Sequence, residues 1–216
     1  MINSNMNILA HRGYWLKPEE KNSAIAFERA LKFGFGIETD LRDAEGEVVI
    51  SHDMPSGGEM KVQDFLDMCV SYPIGRPLAL NIKSDGLRLV LKQYLKQRGI
   101  AESEYFVFDM SFPDAMSYIA AGLPAYTRIS EYETSPLWLA QMRGVWVDAF
   151  HSEWYVEKDL SALLRKGKQI CIVSPELHGR PHMPLWKNLK KWKLHISHQV
   201  GLCTDFPMLA REFFSD

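Results

Sequence analysis

Short apolar runs alternate with helix-like stretches along the whole chain, and this alternation constrains the fold most strongly. The first run, at 7–11, is followed by a helical pattern at 23–33, and the same order recurs until a run at 200–203 precedes a helical pattern at 207–214. Strands that alternate with helices form a mostly parallel sheet. With residues 47–51 set aside as a hairpin strand, the pattern contains eight βα units.

Eight βα units predict a (β/α)₈ TIM barrel with a small hairpin insertion after the second strand. A doubly wound open sheet is the alternative, but no GxGxxG or GxxxxGK[ST] phosphate-binding motif follows any of the predicted strands. The chain has 216 residues, and no long polar stretch rich in Pro and Gly divides it. We therefore expect a single domain over 1–216, with one of its helices around Trp138.

Composition and charge exclude several classes of protein. The formal net charge is −2, whereas nucleic-acid binders usually carry a basic excess. No apolar run approaches the roughly 18 residues that span a bilayer, and residues 1–10 lack the basic and apolar regions of a signal peptide. The chain has three cysteines, a small and odd number for a secreted disulfide scaffold, which fits a reducing compartment. We expect a cytoplasmic protein with no nucleic-acid partner and no integral membrane segment.

Polar side chains follow nearly every predicted strand, at the end of the barrel where active sites lie. Glu38 and Asp40 are two residues apart on one strand, so their carboxylates point to the same side. Two such carboxylates repel each other unless a cation or a shared proton lies between them. Oxygen ligands favour Mg²⁺ or Ca²⁺ over zinc. The alternative is a pair of solvated acids at the barrel edge.

Two histidines and two cations complete the set of candidate catalytic residues. His11 and His52 each end an apolar run, and a histidine pair can remove one proton and deliver another near neutral pH. Arg12 and Lys83 are suited to a phosphate, the first through its planar fork and the second as a point charge. Taken singly, each residue also has a structural interpretation, as a hydrogen-bonded histidine or an ordinary ion pair.

The order of these motifs resembles the glycerophosphodiester phosphodiesterase family. Over residues 8–53 the motifs are His-Arg-Gly at 11–13, Asn-Ser at 22–23, Ala-x-x-x-Ala-Leu-x-x-Gly at 26–34, Ile-Glu-x-Asp-Leu at 37–41 and Gly-x-Val-Val-x-x-His-Asp at 46–53. Leu-Asn-Ile-Lys at 80–83 and Thr-Asp-Phe-Pro at 204–207 resemble two later motifs of the family, whereas 100–195 matches by the βα rhythm alone. The family fold is also a (β/α)₈ barrel with a small insertion.

The resemblance implies a phosphoric diester hydrolase that acts on a glycerophosphodiester or a related small phosphodiester of lipid metabolism. It implies that His11 and His52 are the general acid and base. It also implies that Arg12 contacts the substrate phosphate and that Lys83 lies beside it. The nucleophile is either water or a neighbouring hydroxyl of the substrate.

The resemblance further implies one divalent cation, Mg²⁺ or Ca²⁺, bound by Glu38 and Asp40. On the third barrel strand the family has Glu-x-Lys, where this chain has Asn81. An amide offers a cation one oxygen without charge, so either Asn81 or a nearby acid such as Asp109 completes the site. A second departure is Lys21, which stands where the family usually has the carboxylate of Pro-Glu-Asn-Thr.

Further residues, one aromatic after the first strand and three polar ones after later strands, are predicted to contact the alcohol part of the substrate: Trp15, Arg128, Glu176 and His178. For each of them, packing or solvation on the barrel rim is the alternative interpretation. Two other functions stay open. One is a degenerate barrel that binds a phosphorylated ligand without turnover, which Lys21 and Asn81 favour. The other is a lyase that leaves a cyclic phosphate.

Overall fold

The computed structural model describes residues 6–72, 77–136 and 138–215. The chain forms two compact units. We call residues 9–125 the N-terminal unit, and residues 126–215 together with 6–8 the C-terminal unit. The first strand begins in the C-terminal unit and continues into the N-terminal one.

The N-terminal unit contains parallel strands in the order β5-β4-β2-β1, with β3 antiparallel to β2. Its elements are β1 (Asn7–His11), α1 (Ala24–Lys32), β2 (Gly36–Ala44), β3 (Glu47–Ile50), α2 (Val62–Val70), β4 (Leu78–Ile82), α3 (Arg88–Gln97), β5 (Tyr105–Phe108) and α4 (Phe112–Ala120). A short 3₁₀ helix at Pro18–Glu20 precedes α1.

The C-terminal unit contains parallel strands in the order β9-β8-β7-β6. Its elements are β6 (Tyr126–Ile129), β7 (Gly144–Val147), α5 (Glu157–Arg165), β8 (Gln169–Val173), α6 (Met183–Lys191), β9 (Val200–Thr204) and α7 (Pro207–Ser215). Short 3₁₀ helices occur at Pro175–His178 and Leu194–Ile196.

The turn after β1 is held close to α1 by a glycine that no other residue replaces without strain. Gly13 has φ +85°, and a Cβ atom built there would lie 2.8 Å from the Cβ atom of Ala26. The helix itself begins after Ser23, whose hydroxyl accepts a hydrogen bond from the Ala26 N–H at 3.4 Å. The close approach sets the direction of the His-Arg-Gly segment as it leaves the strand.

The predicted fold class is confirmed: eight parallel strands with helices between them form a (β/α)₈ TIM barrel, and β3 is the predicted hairpin insertion. The predicted helix around Trp138 is wrong, because the described residues between β6 and β7 contain turns and no helix. Trp138 has φ +61°, outside the right-handed helical region. The single-domain organisation stays a prediction.

All the helices among the described residues are short. The longest of them, α3, has ten residues, whereas a bilayer requires about 20. None of these helices is long and apolar enough to cross a membrane.

Candidate active site

The carboxyl ends of β1, β2 and β4 lie side by side in the N-terminal unit, and each carries a predicted site residue. The strand register pairs His11 with Glu38, and Asp40 with Asn81. Since alternate residues of a strand share a face, Glu38 and Asp40 present their carboxylates to the same side. The pairing thus brings together residues that are distant in sequence.

Glu38 is almost fully buried, with 2% of its surface exposed. Its Oε2 atom lies 3.9 Å from His11 Nε2 and accepts a hydrogen bond from the Arg12 backbone N–H at 3.3 Å. Its Oε1 atom accepts a hydrogen bond from Asn81 Nδ2 at 3.4 Å. Burial, reinforced by the neighbouring charge of Asp40, raises the pKa of Glu38 to about 8. This carboxylate therefore lacks enough nearby positive charge to stay ionised easily.

Asp40 is equally buried but is surrounded by donors and cations. Asn22 Nδ2 donates to its Oδ2 atom at 2.9 Å. Arg12 Nε lies 3.3 Å from the same oxygen, and Lys83 Nζ lies 3.4 Å from Oδ1. The Arg12 contact is an ion pair without the alignment of a hydrogen bond. Asp40 therefore holds the two predicted phosphate-binding cations together.

Asn22 is a site residue that sequence reasoning missed. Its side-chain oxygen accepts a hydrogen bond from the Thr39 hydroxyl at 2.9 Å, and its backbone N–H donates to the Arg12 carbonyl at 2.9 Å. Its φ of +58° is left-handed, a conformation in which asparagine is enriched. The available signal was the Asn-Ser motif, which contributed only to the resemblance.

The two histidines differ in exposure and in partner. The His11 side chain is 14% exposed, and that of His52 is 41% exposed. His52 Nδ1 lies 2.9 Å from Asp53 Oδ1. An ionised carboxylate only accepts hydrogen bonds, so Nδ1 carries the proton and Nε2 is left as the basic nitrogen. The His52 carbonyl accepts from Arg42 Nε at 3.2 Å, which anchors the loop after β3.

An open pocket of about 610 Å³ lies beside these groups in the N-terminal unit. Its volume is in the range of pockets that bind small molecules. The lining includes Arg12, which is predicted to bind phosphate, and His52, which is predicted to transfer a proton. It also includes Lys21 and Asn22 of the Lys-Asn-Ser segment and Glu59 of the loop after β3.

Two observations bear on a divalent cation. The Oδ1 atom of Asn81 is buried and has no hydrogen-bond partner among the described residues, and it lies on the strand beside Asp40. A buried oxygen of this kind, next to Glu38 and Asp40, fits a cation that prefers oxygen ligands. Within the described parts of the chain, however, no group of three or more His, Cys, Asp and Glu is arranged to hold a metal. Asp109, which follows β5, is thus not brought into such a group.

Trp15 lies close to the catalytic candidates in the N-terminal unit. Its Nε1–H donates to the His11 carbonyl at 3.1 Å. The Lys21 ammonium lies 4.5 Å from the centre of its ring, in a cation–π contact. The aromatic ring thus links the Lys-Asn-Ser segment to the end of β1.

Three predicted substrate residues lie in the C-terminal unit, each with partners there. Arg128 Nε pairs with Glu133 Oε2 at 2.5 Å, and His178 Nε2 lies 2.7 Å from Asp148 Oδ1. Glu176 is bound most completely, because it accepts hydrogen bonds from two hydroxyls and a backbone N–H: Ser174, Thr204 and Asp205. The partners of Glu176 give it a structural role, and substrate contact by all three residues stays a prediction.

No protein-family model matches the sequence, and no curated protein matches it. Solved structures do match, at low identity. A protein from Galdieria sulphuraria assigned to the glycerophosphodiester phosphodiesterases is 17% identical, with a TM-score of 0.77 and 98% of each chain covered. A glycerophosphodiester phosphodiesterase from Parabacteroides distasonis is 17% identical, with a TM-score of 0.71 and 98% of each chain covered.

A third solved structure belongs to a different phosphodiesterase. It is a Ca²⁺-dependent phosphatidylinositol-specific phospholipase C from Streptomyces antibioticus, 11% identical, with a TM-score of 0.62, and the match covers 97% of this chain and 98% of that one. The resemblance that the motifs predicted is thus confirmed at the level of the fold: this chain has the (β/α)₈ fold of the glycerophosphodiester phosphodiesterases.

Proposed function

We propose that this protein is a metal-dependent phosphodiesterase that hydrolyses a glycerophosphodiester or a related small phosphodiester. The observation that carries the proposal is the position of Arg12 and Lys83, which converge on the buried carboxylate of Asp40 within 3.4 Å. Two cations brought together in this way would attract the negatively charged oxygens of a phosphate. The fold shared with solved glycerophosphodiester phosphodiesterases and a phosphatidylinositol-specific phospholipase C supports the same activity.

The residues that would hold the cation are Glu38, Asp40 and Asn81. The pKa of Glu38, raised by burial and by Asp40, and the buried Asn81 oxygen support this assignment. Mg²⁺ and Ca²⁺ both fit oxygen ligands of this type, and the related phospholipase C is Ca²⁺-dependent. When bound, the cation would supply positive charge that stabilises the phosphate oxygens as negative charge develops on them.

The protein's own side chains would perform the remaining steps. Arg12 and Lys83 bind the phosphate oxygens and orient the diester. His52 Nε2 accepts a proton from water, the water oxygen bonds to phosphorus, and one phosphorus–oxygen ester bond breaks. His11 donates a proton to the departing alkoxide. The products are one phosphomonoester and one alcohol.

A screen of glycerophosphodiesters with Mg²⁺, Ca²⁺ or Mn²⁺, followed by phosphorus NMR, tests this proposal. We expect a phosphomonoester product whose formation stops when a chelator is added. A cyclic phosphate as the final product would instead show that a substrate hydroxyl, not water, attacks phosphorus. Folded protein that turns over none of the diesters with any of the three metals would overturn the proposal.

One observation favours a second candidate function, which is binding of a phosphorylated ligand without turnover. Asn81 stands where the glycerophosphodiester phosphodiesterase motif has a carboxylate. The described residues also contain no group of three or more His, Cys, Asp and Glu arranged to hold a metal. The two functions differ in a simple measurement. A binding protein retains a phosphodiester unchanged in equilibrium dialysis with metal, whereas the enzyme converts it.

A further inference from the structure

Lys21 is a cationic residue of the pocket lining that the proposed hydrolysis does not use. Its ammonium lies 4.5 Å from the centre of the Trp15 ring, and that ring is itself fixed by the hydrogen bond from Trp15 Nε1 to the His11 carbonyl at 3.1 Å. Lys21 is half-buried and lines the same pocket as Arg12 and His52. The aromatic ring therefore holds a positive charge beside the proposed phosphate site.

The two acids of the pocket lining are turned toward partners in their own loop. Asp53 Oδ1 lies 2.9 Å from His52 Nδ1. The Glu59 carboxylate accepts hydrogen bonds from the backbone N–H groups of Ser56 at 2.6 Å and Gly57 at 3.0 Å. These contacts hold both carboxylates toward partners in the loop after β3. The lining thus combines a lysine and an arginine with two acids that are locally bound.

The charge at Lys21 also has the opposite sign to that expected from the resemblance, which places a carboxylate at this position. A cation next to a phosphate-binding arginine attracts a second negative group on the ligand and repels an ammonium group. The pocket volume of about 610 Å³ leaves room for such a group beside a phosphodiester.

We infer that Lys21 is a specificity-determining residue that selects phosphodiesters whose alcohol carries a further negative charge, such as a carboxylate or a second phosphate. The same residue disfavours diesters of cationic alcohols. This inference rests on the proposed phosphodiesterase function, because it assigns the substrate class of that site.

A matched pair of chromogenic diesters tests the inference: 4-nitrophenyl 3-carboxyphenyl phosphate and its neutral 3-carboxamide counterpart. We expect the wild type to prefer the carboxylate by about tenfold in kcat/KM, the size of a modest ionic contact. Lys21→Gln should make the two values equal, Lys21→Glu should invert the preference, and Lys21→Arg should retain it. Rising salt should reduce the preference in the wild type but not in Lys21→Gln.

The control is Lys17→Gln, which removes an exposed lysine from the same loop and should leave the preference unchanged. Equal kcat/KM values for the two diesters in the wild type would overturn the inference while leaving the phosphodiesterase function intact. If neither chromogenic diester is hydrolysed, the screen of glycerophosphodiesters with the three metals decides the proposed function, and calorimetric binding of the chromogenic pair decides the inference. A wild-type protein that binds both with equal Kd overturns it, and tighter carboxylate binding lost in Lys21→Gln supports it.

Discussion

The side-chain amide of Asn22 donates a hydrogen bond to Asp40 Oδ2 at 2.9 Å, which joins the segment before α1 to the middle of β2. The same side chain accepts from the Thr39 hydroxyl. One residue thus orients a carboxylate that also contacts Arg12 and Lys83. The position of both cations thus depends on Asn22 through the Asp40 carboxylate.

Replacing Asn22 should therefore cost both stability and activity. Asn22→Ala removes two hydrogen bonds near buried groups and places a Cβ-bearing residue without a local partner at φ +58°. We expect a loss of about 1–3 kcal/mol in the free energy of unfolding, measured with urea. Asn22→Gly loses the same bonds but tolerates the left-handed backbone, so it should be the more stable of the two. Equal stability would contradict the strain argument, and Asn188→Ala, at an exposed helix position, is the control.

Removing the charge of Asp40 should abolish catalysis without unfolding the protein. Asp40→Asn keeps the shape of the side chain but removes the carboxylate that pairs with Arg12 and Lys83. We expect loss of most phosphodiesterase activity and of calorimetric metal binding, with a circular dichroism spectrum like that of the wild type. Chelator should have the same effect on the wild type and should be reversed by Mg²⁺ or Ca²⁺. Full activity in excess chelator would rule out a metal-dependent mechanism.

The two histidines should each contribute a large factor to turnover. General acid–base groups are worth roughly 10²–10⁴-fold, so His11→Ala and His52→Ala should each lower kcat on that order on a natural diester. Asp53→Asn should lower it less, because Asp53 only orients the His52 ring. His198→Ala, at an exposed position, serves as the control. Near-normal turnover in either alanine variant would show that the histidine has another role.

Adding a carboxylate at Asn81 should strengthen metal binding. Its side chain lies beside Asp40 on the neighbouring strand and has a buried oxygen with no partner in the described structure. Asn81→Glu should tighten Mg²⁺ or Ca²⁺ binding by about tenfold, or roughly 1.4 kcal/mol, in a calorimetric titration. Asn188→Glu adds the same charge on an exposed helix and controls for net charge. If Asn81→Glu has no effect but Asp109→Asn abolishes binding, the third ligand lies after β5.

A buried histidine in the C-terminal unit should make stability depend on pH. His195 is 7% exposed, lies against Phe214, and has its pKa lowered mainly by burial. In the unfolded chain His195 takes up a proton near pH 6.5, whereas in the folded protein it does so only at lower pH. The free energy of unfolding therefore falls as the pH drops below about 6.5. His195→Phe removes this proton, and its unfolding free energy relative to the wild type should rise between pH 7.5 and 5. Parallel curves for the two proteins would contradict the assignment.

The sequence by itself determined the fold class and the chemical inventory of the site. Side-chain alternation along a strand is a local property, so the shared face of Glu38 and Asp40 follows from their spacing alone. The alternation of strands and helices is local in the same sense, and it predicted the parallel barrel. The motif order from His11 to His52 added the resemblance, and with it the expected roles of those residues.

Only the tertiary structure decided which of these residues have partners, because strand register and loop contacts join distant parts of the chain. The pairing of Asp40 with Asn81 depends on the register of β2 and β4, and the role of Asn22 depends on how its segment packs on β2. The sequence predicts that Glu176 contacts the substrate. In the folded protein its carboxylate accepts hydrogen bonds, one of them from the Thr204 hydroxyl. Such contacts depend on geometry between elements, which no local pattern of residues encodes.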